Sequence, residues 1–316
     1  MTDLLDRKLI FVTGKGGVGK TTIAASLAWL AADRGKRTLV CEVDAKGNLA
    51  DFYETAPTRF EEREIAPRLW AMSMDTEASL KQYLSLQLKL PLMLRIGPLA
   101  KMFDFVASAA PGVREIVTVG KLCWEVKEKH YDLIVVDASA TGHIVGQLTA
   151  PQAINQLVQV GLVRQQTGWM LDILDDPSTT GLVVVATPAE MPVSETLDLT
   201  ARLREETNVD LAAIVVNRVL PELFGRGEEE VFERLDASPG PRDQIDAAVA
   251  GPVVSLMRAA RLTVTMRRSR TEHLERLRGA IDPNVPLLYM PYLFFRSHGL
   301  RATHQLADAL SAELGY

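Results

Sequence analysis

The chain has 316 residues, 47% hydrophobic and 24% charged, enough for one large α/β domain or two small ones. A formal net charge of −5 argues against a broad electrostatic grip on DNA or RNA, so no nucleic-acid partner is expected. Two cysteines, Cys41 and Cys123, lie far apart and outside any CxxC spacing, which leaves no disulfide framework and no zinc site and reads as two buried thiols.

The opening Met1-Thr2-Asp3-Leu4-Leu5-Asp6 lacks a basic segment followed by an apolar run, so it does not read as a secretory signal. No apolar stretch reaches the ~18 residues of a bilayer span, and a cytoplasmic location is expected. Residues 8–13 (Lys-Leu-Ile-Phe-Val-Thr) then read as a buried strand and Thr21 to Asp33 as a helix. Between them stands Gly14-Lys15-Gly16-Gly17-Val18-Gly19-Lys20-Thr21-Thr22, which meets the spacing of a phosphate-binding loop at Gly14, Gly19, Lys20 and Thr21. Glycines let backbone N–H groups close on phosphate oxygens at a helix N-terminus. Lys20 can reach the β- and γ-phosphates, and the Thr21 hydroxyl can ligate Mg²⁺. ATP and Mg²⁺ are the expected ligands.

Further strands are expected at 37–43, 68–74, 131–137, 181–187, 211–217 and 286–290. Several are β-branched on both alternating faces, as in a parallel sheet covered by two helical layers. Helical stretches between them predict an α/β, doubly wound, mostly parallel sheet of about seven to eight strands in a single domain over 1–316. Three strand ends carry polar groups. Strand 37–43 delivers Asp44, a carboxylate able to orient or deprotonate an attacking water. Strand 131–137 delivers Asp137, the expected holder of the metal, followed by Gly142 and His143. Strand 211–217 delivers Asn217, an amide able to read adenine through paired donor and acceptor. Apolar helical stretches near 78–110 and 153–175 interrupt the sheet rhythm and read as inserted helices, serving as packing or as a groove for an apolar client.

The order of Lys-Gly-Gly-Val-Gly-Lys-Thr-Thr, then Asp44-x-x-x-Asn48-Leu49-x-Asp51, then Asp137-x-x-x-Thr141-Gly142-His143 resembles the arsenite-pump ATPase family, whose eukaryotic members target tail-anchored membrane proteins. Ala110 to Glu115, Val215 to Arg218 and Pro286 to Tyr292 extend the resemblance over nearly the whole chain. It implies a dimer, homomeric or with a related ATPase, with nucleotide at the interface. In it Lys15 reaches the partner's nucleotide, Asp44 activates water in switch I, and Asp137 with Thr141-Gly142-His143 forms switch II. Asn217 and the backbone near Pro291 hold the adenine. The chain departs from the pattern at Ala45-Lys46-Gly47, where switch I usually reads Pro-Ala-His, and at Ala138-Ser139-Ala140 in switch II.

Two other readings use the same residues. One is a weakly active, nucleotide-holding subunit of a heterodimer. The other is a MinD- or ParA-like positioning ATPase. Against the latter, the arginines of 258–278 are interleaved with Glu272 and Glu275, and the last helix has an acidic-leaning polar face suited to docking on the core.

Overall fold

In the computed structural model the described residues are 3–44, 48–87, 112–157, 162–222, 224–237, 253–294 and 299–316. The elements run β1 (Leu9–Gly14), α1 (Lys20–Asp33), β2 (Thr38–Glu42), α2 (Asn48–Phe52), β3 (Arg63–Ala66) and β4 (Leu69–Ser73). Then come α3 (Thr76–Gln87), α4 (Val113–Lys127), β5 (Leu133–Asp137), α5 (Thr141–Leu157), α6 (Leu162–Leu174) and β6 (Thr180–Ala186). The rest is α7 (Glu190–Glu206), β7 (Leu211–Val219), α8 (Arg226–Ala237), α9 (Val253–Ala280), β8 (Leu287–Pro291) and α10 (Leu300–Leu314).

The strands make one sheet in the order β3-β4-β2-β5-β1-β6-β7-β8. Every pairing is parallel except β3 with β4, which turns back through Arg68 at φ 63°. Every residue of β1, β2, β5 and β6 is buried, which follows from their continuous apolar runs and helical cover on both faces. Alternation along β1 feeds two cores. Ile10 and Val12 pack with Ile23 and Leu27 of α1 and with Leu306 and Leu310 of α10. Leu9 and Phe11 pack with Leu122 of α4, Ile144 of α5 and Met170 of α6. The last helix therefore docks on the core, as its polar face suggested.

Because α1 lies between the sheet and α10, it is apolar on nearly all sides. Ala24, Ala25, Ala28 and Ala31 let it sit close to both. It stops at Gly35, whose φ of 85° lets the Gly35 and Lys36 N–H groups donate back to Ala32 and Ala31.

Within the expected helical stretch at 153–175, the described residues belong to the end of α5 and to α6. Met170 and Leu174 of α6 are buried in the second core, with Trp169 and Ile173 packed beside them, so this part covers the sheet. Of the 78–110 stretch, α3 carries residues to Gln87, and 88–111 lie outside the described residues. Cys41 and Cys123 are both buried, and burial pushes both thiols up. On α9, Arg268 pairs with Glu229 and Glu233, and Arg267 with Glu222, along a solvated face. Among the described residues no helix is long and apolar enough to cross a membrane.

Candidate functional site

The sheet order reverses at β1, with β5 on one side and β6 on the other, and the crevice beyond their C-terminal ends is where such sheets take ligands. The loop 14–19 runs through it into α1. Two glycines are required there on geometric grounds. Gly14 has φ 150°, and a Cβ on it would lie 2.2 Å from the Val185 carbonyl oxygen. Gly19 has φ 99°, and a Cβ there would lie 2.4 Å from Asn217 Nδ2. Gly19 caps α1 without a side-chain hydrogen bond, so no side chain of the cap residue occupies the positive end of this 14-residue helix.

Beneath the loop, the Thr21 hydroxyl donates to Asp137 Oδ2 at 2.6 Å. The other oxygen, Oδ1, is buried and has no hydrogen-bond partner. Burial raises the Asp137 carboxyl to about 6, opposed by the Thr21 hydrogen bond and Lys20 and assisted by Glu42 and Asp44. A buried carboxylate oxygen with no donor is a costly arrangement that a cation would relieve. Together with the hydroxyl beside it, this donor pair suits Mg²⁺, which takes one or two protein oxygens and completes its shell with water and phosphate. The Thr13 hydroxyl donates to the Ser139 carbonyl at 2.7 Å and Ala138 N–H to the Val12 carbonyl at 3.0 Å, pinning the start of the Asp137-to-His143 segment to β1.

Gly16, Gly17, Lys20, Asp44, Asp137 and Arg218 are among the residues around a cleft of about 470 Å³. A second cleft of about 270 Å³, lined by Thr22, Asn217, Arg218, Pro291, Tyr292, Leu293 and Leu306, shares Thr22 and Arg218 with it. The pair gives one charged and one mostly uncharged compartment on either side of α1's first turn.

Of the expected residues, Gly16, Gly17, Gly19, Lys20, Thr21, Thr22, Asp44 and Asp137 line the first cleft and Asn217 and Pro291 the second, while Gly14, Lys15 and Val18 lie in the stretch from β1 to α1. Val18 is buried beneath the loop at 2% exposure, and its carbonyl accepts from Asn217 Nδ2 at 2.9 Å. Asn217 Oδ1 accepts from the Arg218 N–H at 2.9 Å, so the amide first braces the loop; one N–H and one lone pair remain for a base. Arg218 follows at φ 60°, where the β7–β8 register shifts. Asp44 is half-exposed, its Oδ1 3.6 Å from Arg114 Nη2 at the start of α4. Lys15 is paired inside its own subunit with Glu195 of α7, whose second oxygen accepts from the Thr141 hydroxyl at 3.2 Å. Thr22 lines both clefts. His143 is exposed.

Two residues of the site went unassigned in the sequence reading. Glu42 is 1% exposed and faces Asp137 in the β2–β5 register; its carboxylate accepts from Asn48 N–H at 3.1 Å, anchoring the chain where it returns into α2. An acidic residue closing an apolar strand was the available signal. Glu195 lies far from the loop in sequence and carried none.

A parallel sheet with a phosphate loop after its central strand, over a threonine and a strand-end aspartate, defines a P-loop nucleotide-binding protein. Comparison with known proteins narrows the class. The family model described as anion-transporting ATPase matches residues 7–171 and 163–235, and the chain belongs to that family. It is 32% identical over 229 residues to the ATPase BagA of Mycobacterium tuberculosis, covering 68% of this chain and 66% of that protein. It is 35% identical over 164 residues to ATPase ASNA1 homolog 1 of Paramecium tetraurelia, covering 48% and 47% of the two chains. An ASNA1 homolog of Cryptosporidium parvum is 29% identical over 249 residues, 67% of this chain and 65% of that one. The matches thus span between about half and two thirds of these relatives' length.

Proposed function

We propose that this protein is a Mg²⁺-dependent, ATP-hydrolysing dimeric switch that couples its nucleotide state to binding of an apolar partner segment. The observation that carries the reading is the Thr21–Asp137 contact with its unpartnered Oδ1 at the floor of the phosphate cleft. Backbone N–H groups of Gly16 to Lys20 and the Lys20 ammonium would hold the β- and γ-phosphates. Thr21 and Asp137 would hold Mg²⁺, which neutralises charge on the phosphate oxygens. The base would enter the cleft between Asn217 and Pro291. Asp44 would orient a water whose oxygen bonds to the γ-phosphorus while the bond to the β–γ bridging oxygen breaks; the water proton passes to the carboxylate or to the departing phosphate. To do so Asp44 must exchange Arg114 for water, a small cost for a half-exposed pair. Lys15 would add positive charge to the transferring group of a second subunit.

Turnover is measured on purified protein with Mg²⁺ and ATP. Wild type should hydrolyse ATP slowly. Asp44→Asn should retain nucleotide binding and lose about 10²-fold or more of the turnover, the range of a positioned base. Equal turnover by both proteins would remove Asp44 from the mechanism. A second reading, a nucleotide-holding subunit of a heterodimer, is favoured by Lys15 and Asp44 both being engaged within one chain. Absence of turnover in this chain alone, restored by a related ATPase, would select it.

A further inference from the structure

The Glu195 carboxylate joins two parts of the site that come from different strands. One oxygen takes the Lys15 ammonium from the loop after β1, and the other accepts from Thr141, the first residue of α5 after β5. Glu195 itself does not drift. On either side of it Val193, Thr196 and Leu199 are at most 2% exposed, so packing fixes this turn of α7 against the core. Lys15, by contrast, sits among Gly14, Gly16 and Gly17, with nothing within 4 Å of the Cβ position at Gly16 or Gly17. The partners are 31% and 30% exposed, open enough to separate without stranding a buried charge. A lysine flanked by glycines is thus docked on a carboxylate held by a packed helix.

We infer that Glu195 is a positioning residue that parks Lys15 within its own subunit and thereby opposes association of two ATP-bound chains. This rests on the reading of the protein as a dimeric ATPase. Lys15 cannot pair with Glu195 and reach a nucleotide on a second chain at once, so assembly must break this pair in each subunit. The negative charge of a second chain's phosphates competes with the carboxylate for the same ammonium. Departure of Lys15 leaves Glu195 with Thr141 alone, so the same event changes the hold on the segment after Asp137. The geometry therefore ties presentation of the lysine to the state of switch II through one side chain.

The test is ATP turnover per subunit against protein concentration, with sedimentation in a non-hydrolysed ATP analogue. Glu195→Gln keeps an acceptor for Thr141 and removes the charge that holds Lys15. It should lower the half-saturating protein concentration about twofold to thirtyfold, because a half-exposed ion pair is worth roughly 1.4- to 5-fold in an equilibrium constant and a symmetric dimer breaks two. Comparing half-saturating concentrations rather than maximal rates separates this shift from any effect of the lost charge on the site itself. Glu195→Ala is the second variant and should shift in the same direction. On a Lys15→Ala background, Glu195→Gln should produce no further shift. An unchanged or raised half-saturating concentration, or a shift persisting without Lys15, would each overturn the inference. Wild-type turnover independent of concentration, with a monomer as the sedimenting species in every nucleotide state, would instead refute the dimeric reading, and this one with it.

Discussion

The floor and the rim of the phosphate cleft are built from different interactions. On the floor, Thr21 donates to Asp137, Thr13 to the Ser139 carbonyl and Asn217 to the Val18 carbonyl at 2.6–2.9 Å; Asp137, Thr13 and Asn217 are buried and Thr21 is half-buried. On the rim, Asp44–Arg114 and Lys15–Glu195 are ion pairs with side chains 30–59% exposed. Hydrogen bonds between buried groups are costly to leave unmade, whereas exposed ion pairs contribute about 0–1 kcal/mol and exchange partners readily. The difference predicts that the floor resists substitution as a unit, whereas the rim pairs can be exchanged at little cost.

The sharpest way to break this contrast is to disturb the phosphate contact at the floor. Lys20→Ala should weaken ATP binding on the order of a hundredfold, the worth of a charge-assisted contact, read by calorimetric titration. A weakening comparable with that of a rim substitution would dissolve the distinction. If Lys15 acts as proposed on the transferring phosphoryl group, Lys15→Ala should spare the nucleotide Kd and cost at least about tenfold in turnover.

Asp137→Asn tests the floor through pH. The folded carboxyl titrates at about 6, above its ordinary value, so without metal or nucleotide the native state binds the proton more tightly than the unfolded chain. Its ionisation therefore destabilises the apo protein: the penalty is absent below pH ~4, grows to roughly 2–3 kcal/mol by pH ~6 and stays constant above. Asn carries no such charge. The apo Asp137→Asn protein should melt on the order of 4 °C higher than wild type at pH 7.5, with the gap closing towards pH 4.5. Mg²⁺–ATP should reverse the order by stabilising wild type alone. A gap independent of pH would separate the effect from ionisation.

Arg114→Ala should have the smallest effect. It frees Asp44 from a partner 3.6 Å away and should change turnover by less than about fivefold, with no change in melting temperature. A large loss would mean that Arg114 touches the nucleotide itself.

Much of the floor was legible in the sequence because its residues are consecutive or close strands in order. The loop string dictates its own glycines, and strands such as Leu133–Asp137 announce both their burial and the polar residue at their end. The edge strand β3, Arg63–Ala66, was not legible: its four residues are exposed or half-exposed, and it exists because Arg68 turns the chain back along β4. Helix α2 has five residues and follows from Glu42 holding Asn48, a contact that no periodicity encodes. Asn217 was expected to hold adenine; that it also donates to the Val18 carbonyl, across 199 residues of sequence, is a contact that separate motifs do not convey. Glu195 depends wholly on tertiary structure, 180 residues from the lysine it holds.

The position of β1 bears on how the protein is made. Its neighbours are β5, paired at Leu9↔Ile134, and β6, paired at Leu9↔Thr180, and Asn217 must arrive before the loop is braced. On a ribosome adding about 5–20 residues per second, roughly 200 residues separate the appearance of Lys20 from that of Asn217, an interval on the order of 10–40 s. Until β5 and then β6 are made, β1 has no strand on either edge, and until β7 follows the Val18 carbonyl lacks its Asn217 donor. Until then α1, which packs on Ile10 and Val12, is the first element able to cover β1.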